Sequence, residues 1–241
     1  MPGRDQPLLA LETATAPGSV ALLCGGEVAR ERTLPAGAAT AETLLPAIDA
    51  VLAEAGVSLA AIRGFAISIG PGSFTGLRIG VATLKGLAFG APQPVAAVPT
   101  LAALALRAEP GAGPVVALLD ARRGEVYAAG YREAGRLEPD VLPEGLYTPA
   151  ALAAQLPPVC RLVGDGVAVC REALRRRPGP GALPAAAAAS PRAADVGRLA
   201  RVIFAAGAAH APADLVPRYL RRAQAEVTRT GHATEPREGS F

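Results

Sequence analysis

Histidine, cysteine, lysine and aromatic side chains are all scarce in this chain. Its 241 residues include only two histidines, His210 and His232, far apart. A zinc site of the usual His/Cys spacing is therefore not expected, and neither histidine lies near a nucleophile motif that would make a Ser-His-Asp arrangement. Three cysteines, Cys24, Cys160 and Cys170, form no C-x-x-C, and their odd number suits a reducing compartment. Tryptophan is absent and aromatics make up 4%, so the core must be built from Ala, Val and Leu. Lys85 is the one lysine among 24 cationic residues, a mark of coding bias. No apolar run approaches the roughly 18 residues a membrane span needs. Asp5 and Glu12 break any signal-like apolar stretch, so the expectation is a soluble cytoplasmic protein without membrane contact. The net charge of +3 is too small to hold nucleic acid by bulk electrostatics. At 51% hydrophobic residues the chain is no disordered protein, and its length allows one or two domains.

The order of elements suggests an internal repeat. Leu8 to Thr13 reads as a strand, Ser19 to Cys24 as a second ended by the hairpin pair Gly25-Gly26, and Glu27 to Leu34 as a third. Thr40 is placed to cap a helix over Ala41 to Ala55, whose Leu44, Ile48, Val51 and Leu52 follow the helical period and which Gly56 stops. Phe65 to Ile69 reads as a buried strand, followed by a helix over Phe74 to Phe89. A linker helix, Thr100 to Arg107, leads to a second block: strands Val115 to Leu119, Glu125 to Tyr131 and Arg136 to Leu142, a helix Pro149 to Gln155 capped by Thr148, a strand Val159 to Val163, and a helix to about Arg176. Both blocks read βββαβα. Pro178 to Pro191 is a loop, Arg192 to Ala209 a helix, and Ala223 to Phe241 a flexible tail.

Four sequence features bear on chemistry. Gly70-Pro71-Gly72-Ser73-Phe74-Thr75-Gly76 sits between strand and helix, where glycines let backbone approach a ligand and free N–H groups can bind an anion; the plainer alternative is a tight turn with Ser73 as N-cap. It lacks the Gly-Lys-Ser/Thr ending of a Walker A loop. In the helix that follows, Ala82, Gly86 and Gly90 fall four apart and leave one face nearly bare, for close approach either of its own lobe or of another chain; Arg78 and Lys85 border it. Glu12 and Asp120 end matching strands of the two blocks, as two carboxylates would in a two-lobed phosphate-binding cleft. The runs Arg175-Arg176-Arg177 and Arg218, Arg221, Arg222 have no interleaved aromatics, so they read as solvated faces rather than a stacking platform for bases.

Ile69 to Gly90 closely resembles the signature of the bacterial TsaB (YeaZ) family, and Leu119-Asp-Ala-Arg-Arg-Gly-Glu-Val-Tyr127 resembles its second signature. Leu11-Glu-Thr-Ala-Thr, Ser19-Val-Ala-Leu, Leu44-Leu-Pro and Pro217-Arg-Tyr-Leu-Arg221 fit the same family in order, so the resemblance runs from residue 8 to about 222. It implies an α/β chain with the two-lobed actin-like ATPase (ASKHA) fold: a first lobe over 1–107 with a helix around 192–222 packing back on it, a second lobe over 108–191, and a tail over 223–241. It implies a non-catalytic dimerisation subunit of the machinery that forms N6-threonylcarbamoyladenosine (t6A) on tRNA. The partners would be the catalytic paralogue TsaD and the ATPase TsaE, with tRNA met indirectly and a homodimer possible.

Where the catalytic relative would carry its metal-binding His-x-x-x-His pair, this chain has Thr100 and Leu104, so no metal and no catalytic residue is expected. Many family members have His-x-Glu or similar before the first helix, where this chain has Thr40-Ala41-Glu42. The partner surface is expected at Leu45, Ile48, Arg78, Ala82, Lys85, Gly86 and Phe89. Glu12, Thr13, Asp120, Gly164 and Asp165 are weak nucleotide-cleft candidates, because Glu12-Thr13-Ala14-Thr15 stands where the family fold usually has Asp-x-Ser/Gly-Thr. ATP and metal would belong to partner subunits. The rival expectation is an active small-molecule kinase or ATPase using Asp120 and Gly164-Asp165-Gly166.

Overall fold

The computed structural model describes residues 6–89, 93–176 and 189–221. Gly90 and the tail after Ala223 lie outside the described residues, as does most of the loop between Pro178 and Pro191. In chain order the elements are β1 (Leu8–Glu12), β2 (Ser19–Cys24), β3 (Glu27–Thr33), α1 (Thr40–Ala55), β4 (Gly64–Ser68), α2 (Phe74–Leu87), β5 (Val95–Val98), α3 (Thr100–Ala105), β6 (Val115–Asp120), β7 (Val126–Tyr131), β8 (Leu142–Tyr147), α4 (Pro149–Gln155), β9 (Arg161–Val163), α5 (Gly166–Arg175) and α6 (Ala193–Ala205).

Two mixed sheets share one plan. The first has the order β3-β2-β1-β4-β5 and the second β8-β7-β6-β9. In each, the first strand pairs antiparallel with its hairpin partner and parallel with the strand that follows a helix. This is the duplicated architecture of the two-lobed actin-like fold, with one strand fewer in the second lobe. The Gly25-Gly26 turn between β2 and β3 has φ of 60° and 89°, the left-handed pair that a two-residue hairpin loop requires.

Strand alternation sorts the core into three packed layers. Leu9 and Leu11 of β1 face α1 and α2, while Leu8 and Ala10 face the other way. In the second lobe, Val116 and Leu118 of β6 face α4 and α5, while Val115, Ala117 and Leu119 face inward. The inward faces of both sheets meet α3 and α6, so these two helices form a buried layer between the lobes. Alanines at 10, 21, 66, 96, 117 and 129 line it and let helices sit close to both sheets. All residues of α3 are buried; the expected linker is a core element.

Several expectations need correction. Val95–Val98 is a strand the sequence reading did not contain, since Val-Ala-Ala-Val before a proline carries little strand propensity. The strand expected at Arg136 to Leu142 begins only at Leu142, because Asp140 draws the chain into a turn: its carboxylate accepts the Arg132 N–H at 2.7 Å and pairs with the Arg132 and Arg136 guanidiniums. Thr40 opens α1 instead of capping it; the cap position is Ala39, with no side-chain hydrogen bond. Ser73 and Thr148 do cap, accepting N–H donors from Gly76 and Ala151.

Helix α2 carries two small-residue faces, and the buried one is not the one the sequence reading singled out. A Cβ on Gly72, Gly76 or Gly80 would collide with Ala14 O, Thr13 O or Thr13 Oγ1, whereas a Cβ on Gly86 would meet nothing. Gly76→Ala should therefore destabilise the chain by about 3 kcal/mol through overpacking against a carbonyl. Gly86→Ala should stabilise it by about 1 kcal/mol through helix propensity. Urea midpoints of the two variants check both signs.

Candidate functional site

The turn after β1 occupies the place where the first strand of a phosphate-binding lobe would present its ligands. Glu12 is fully buried and does not open onto solvent. Its Oε1 accepts the Ala14 N–H at 3.0 Å and the Ser68 hydroxyl at 3.1 Å, and its Oε2 accepts the Thr15 hydroxyl at 3.1 Å. Ala14 O in turn accepts the Ser73 N–H at 2.7 Å, at the start of α2. The glycine loop thus directs an N–H at the chain's own backbone, and the tight-turn alternative for 70–76 describes it. Thr13 is buried against Gly80, and its hydroxyl has no hydrogen-bond partner. The Thr100 hydroxyl accepts the Gly70 N–H at 3.0 Å, and Leu104 is buried beside Gly164.

In the second lobe the structure does bring Asp120, Gly164 and Asp165 together. The Asp165 carboxylate accepts the Asp120 N–H at 2.9 Å, and the Asp120 carboxylate accepts the Arg122 N–H at 2.7 Å. A Cβ at Gly164 would strike Leu118 O, so this glycine serves the approach of the β9–α5 loop to β6. These acids hold loops in place. Among the described residues no group of three His, Cys, Asp or Glu is arranged to hold a metal ion, and no helix is long and apolar enough to cross a membrane.

The expected partner face is divided by the structure. Leu45 (48% exposed), Ala82, Gly86 and Phe89 (91% exposed) are open on the packed pair α1 and α2. Ile48 is not part of it: at 1% exposure it points into the sheet-facing core, because it follows Leu44 on the inner stripe of α1. Arg78 and Lys85 are held by the chain's own C-terminal segment. Arg78 Nε donates to the Tyr219 hydroxyl at 3.2 Å and its guanidinium lies 3.9 Å over Phe74, while Lys85 Nζ donates to Ala213 O at 2.8 Å.

In that segment, 210–221, Arg218 and Arg221 are paired instead of forming the solvated face expected of them together with Arg222, which lies outside the described residues. His210 bridges the edge of β5 through Val95, and the Arg218 N–H donates to Ile69 O at 2.6 Å. Arg218 pairs with Glu144 of β8, and Arg221 pairs with Glu125 while donating to Ala121 O at 2.6 Å. The segment therefore crosses from the first lobe to the second. Sequence reasoning missed this because each arginine finds its partner more than 70 positions away.

Burial raises the Glu12 carboxyl to about 7, against the opposing hydrogen bonds from Ser68, Thr15 and Ala14. The folded chain thus holds a proton on Glu12 that the unfolded chain releases near 4.5. Stability should be greatest below that value and fall as pH rises through 7, by roughly 3 kcal/mol in all. Glu12→Gln, which mimics the protonated form, should remove this component and be the more stable protein at pH 8. Urea titrations of both proteins from pH 4.5 to 8 check it.

Comparison with known proteins gives the same picture from outside. The family model of TsaD, tRNA N6-adenosine threonylcarbamoyltransferase, matches residues 28–229. The tRNA threonylcarbamoyladenosine biosynthesis protein TsaB of Haemophilus influenzae is 45% identical over 122 residues, 50% of this chain and 51% of that protein. Its Escherichia coli counterpart is 43% identical over 127 residues, 52% and 54% of the two chains. The matched region thus spans about half the length of these curated relatives. Over the whole fold, a Pseudomonas aeruginosa protein described as similar to peptidase YeaZ superposes with a TM-score of 0.78 at 36% identity, covering 90% of this chain and 100% of that one. YeaZ from Pseudomonas aeruginosa gives a TM-score of 0.75 at 35% identity, over 89% and 100%. With both signatures in place on the two-lobed fold and these relatives alongside, the chain belongs to the TsaB (YeaZ) family.

Proposed function

We propose that this chain is a non-catalytic docking subunit of the cytoplasmic machinery that forms N6-threonylcarbamoyladenosine on tRNA, and that it binds the TsaD catalytic paralogue through α1 and α2. The observation that carries this reading is the open face of Leu45, Ala82, Gly86 and Phe89. An apolar ring 91% exposed beside a glycine with no neighbour at its Cβ position is a poor surface for a lone chain and a good one for a close helix approach. Two observations support the reading: the curated relatives are named for tRNA threonylcarbamoyladenosine biosynthesis, and the likeness of this chain to the TsaD family model suits a pairing of two chains of one fold. TsaE and a second copy of this chain are further partners under the same reading.

The filled turn after β1 supports the absence of chemistry in this chain. Glu12 is spent on Ala14, Thr15 and Ser68, and the Ser73 N–H is spent on Ala14 O. The kinase reading would need Asp120 to face a phosphate, and its carboxylate instead accepts the Arg122 N–H. A nucleotide titration of the chain alone separates the two readings: sub-micromolar binding of ATP supports the kinase.

Gly86→Leu should weaken association with TsaD about 30-fold or more, in the range of an interface hot spot. Its thermal midpoint should not fall below that of the parent, because a Cβ at this position meets nothing and leucine favours the helix over glycine. Phe89→Ala should act in the same direction. Retained affinity in both variants, measured by calorimetry with purified TsaD, overturns the docking face.

A further inference from the structure

After α6 the chain passes from the inner layer of the molecule to its outer face and then to the second lobe. Helix α6 ends at Ala205, in the layer between the sheets. His210 then pairs with β5, the edge strand of the first sheet. Leu215 is buried in the outer core that also holds Val81 and Leu84 of α2. Just past the end of β4 the Arg218 N–H donates to Ile69 O, and the chain reaches Glu144 and Glu125 of the second lobe. Residues 210–221 thus form a strap around the edge of the first sheet. Pro212 and Pro217 stiffen it, since each fixes its own φ.

The strap holds one flank of α2. Lys85, near the end of the helix, donates to Ala213 O. In the first turns, the Arg78 guanidinium covers the Phe74 ring and donates to the Tyr219 hydroxyl, while the Tyr219 ring lies 4.8 Å from that of Phe74. Helix α2 packs with α1 on the outer face of the first sheet, whereas the second lobe is joined through α3 and α6 on the inner face. The strap therefore links the α2 flank to the second lobe by a route that does not pass through the sheet.

Polar pairs hold the crossing. A cavity of about 350 Å³ lies where the strap, the start of α2 and the β6–β7 hairpin meet, and Phe74, Tyr127 and residues 218–221 form part of its wall. Across that space the dispersion contacts of a packed core are missing. Arg221 spans it by pairing with Glu125 and donating to Ala121 O at 2.6 Å, and Arg218 pairs with Glu144. Each ion pair has one largely buried member, Arg221 at 15% and Glu144 at 5% exposure, so salt screens it less than a surface pair.

We infer that Arg218, Tyr219 and Arg221 are positioning residues for the docking helix: through the strap, the second lobe fixes the flank of α2 and with it the set of the open face that meets TsaD. The inference rests on the proposed docking role and adds a control of it from the other lobe. A partner that binds one setting of α2 binds more weakly once that setting is only part of the population.

The test joins hydrogen exchange of the full chain alone to calorimetry with purified TsaD. Arg221→Ala removes the bonds to Ala121 and Glu125, and Glu125, 32% exposed, is left within reach of water. Amides of α2 should exchange about fivefold faster in this variant, and its Kd for TsaD should rise about fivefold, the low end of coupling between sites. The control is Arg161→Ala, which deletes guanidinium bonds to Glu109 O and Gly113 O inside the second lobe and should leave both readouts at the parent value. Parent-like exchange of α2 in Arg221→Ala overturns the inference. An equal change in the control also overturns it, assigning the effect to a general loss of stability. So does an unchanged Kd in Arg221→Ala when Gly86→Leu weakens binding. If Gly86→Leu leaves TsaD binding intact, the docking reading fails, and the exchange of α2 in the chain alone still decides whether the second lobe sets this helix.

Discussion

The backbone carbonyls of Thr13 and Ala14 lie against helix α2 where only glycine leaves room, and much of the molecule follows from that contact. It brings α2 down onto the end of β1, so that Ser73 caps the helix and also donates to Ala14. It makes a carboxylate at Glu12 an internal brace. It also turns the opposite side of α2, with Ala82 and Gly86, away from the sheet. The closed turn and the open helix face are two sides of one packing arrangement.

The second constraint is the shared helical layer. Because α3 and α6 are buried between the sheets, the lobes form a continuous core instead of two bodies joined by a hinge. Alanine-rich inner faces make this possible in a chain with few aromatics. Asp195, at the start of α6, is buried there beside Arg107 and Arg198, which counter the burial that raises its carboxyl. Arg198 donates to one carboxylate oxygen at 3.0 Å, while the other has no hydrogen-bond partner and faces Arg107 at 3.9 Å as an ion pair only.

The sequence made the repeat, the Ser73 and Thr148 caps and the exposure of Leu45, Gly86 and Phe89 legible, because each depends on neighbours within a turn or on a helical period. Val95–Val98 was not legible, since its pairing with β4 rather than its own composition makes it a strand. Ile48 was assigned to the wrong side of α1 although it shares the stripe of Leu44 and Val51. The Gly72, Gly76, Gly80 spacing stood in plain view, but only the fold shows which glycine stripe meets backbone. The aromatic company of Arg218 and Arg221 required residues about 100 and 140 positions apart to meet, which no local pattern reports.

The late arrival of α6 and of residues 210–221 governs how the chain is made. Strands β1 to β5 emerge first from the ribosome, yet the inner face of their sheet is covered by Val196, Leu199, Ala200 and Ile203, and the β5 edge is covered by His210. The first lobe therefore stays incomplete until the chain has been synthesised past His210. Its apolar inner surface is left for chaperones or the nascent second lobe to shield in the interval.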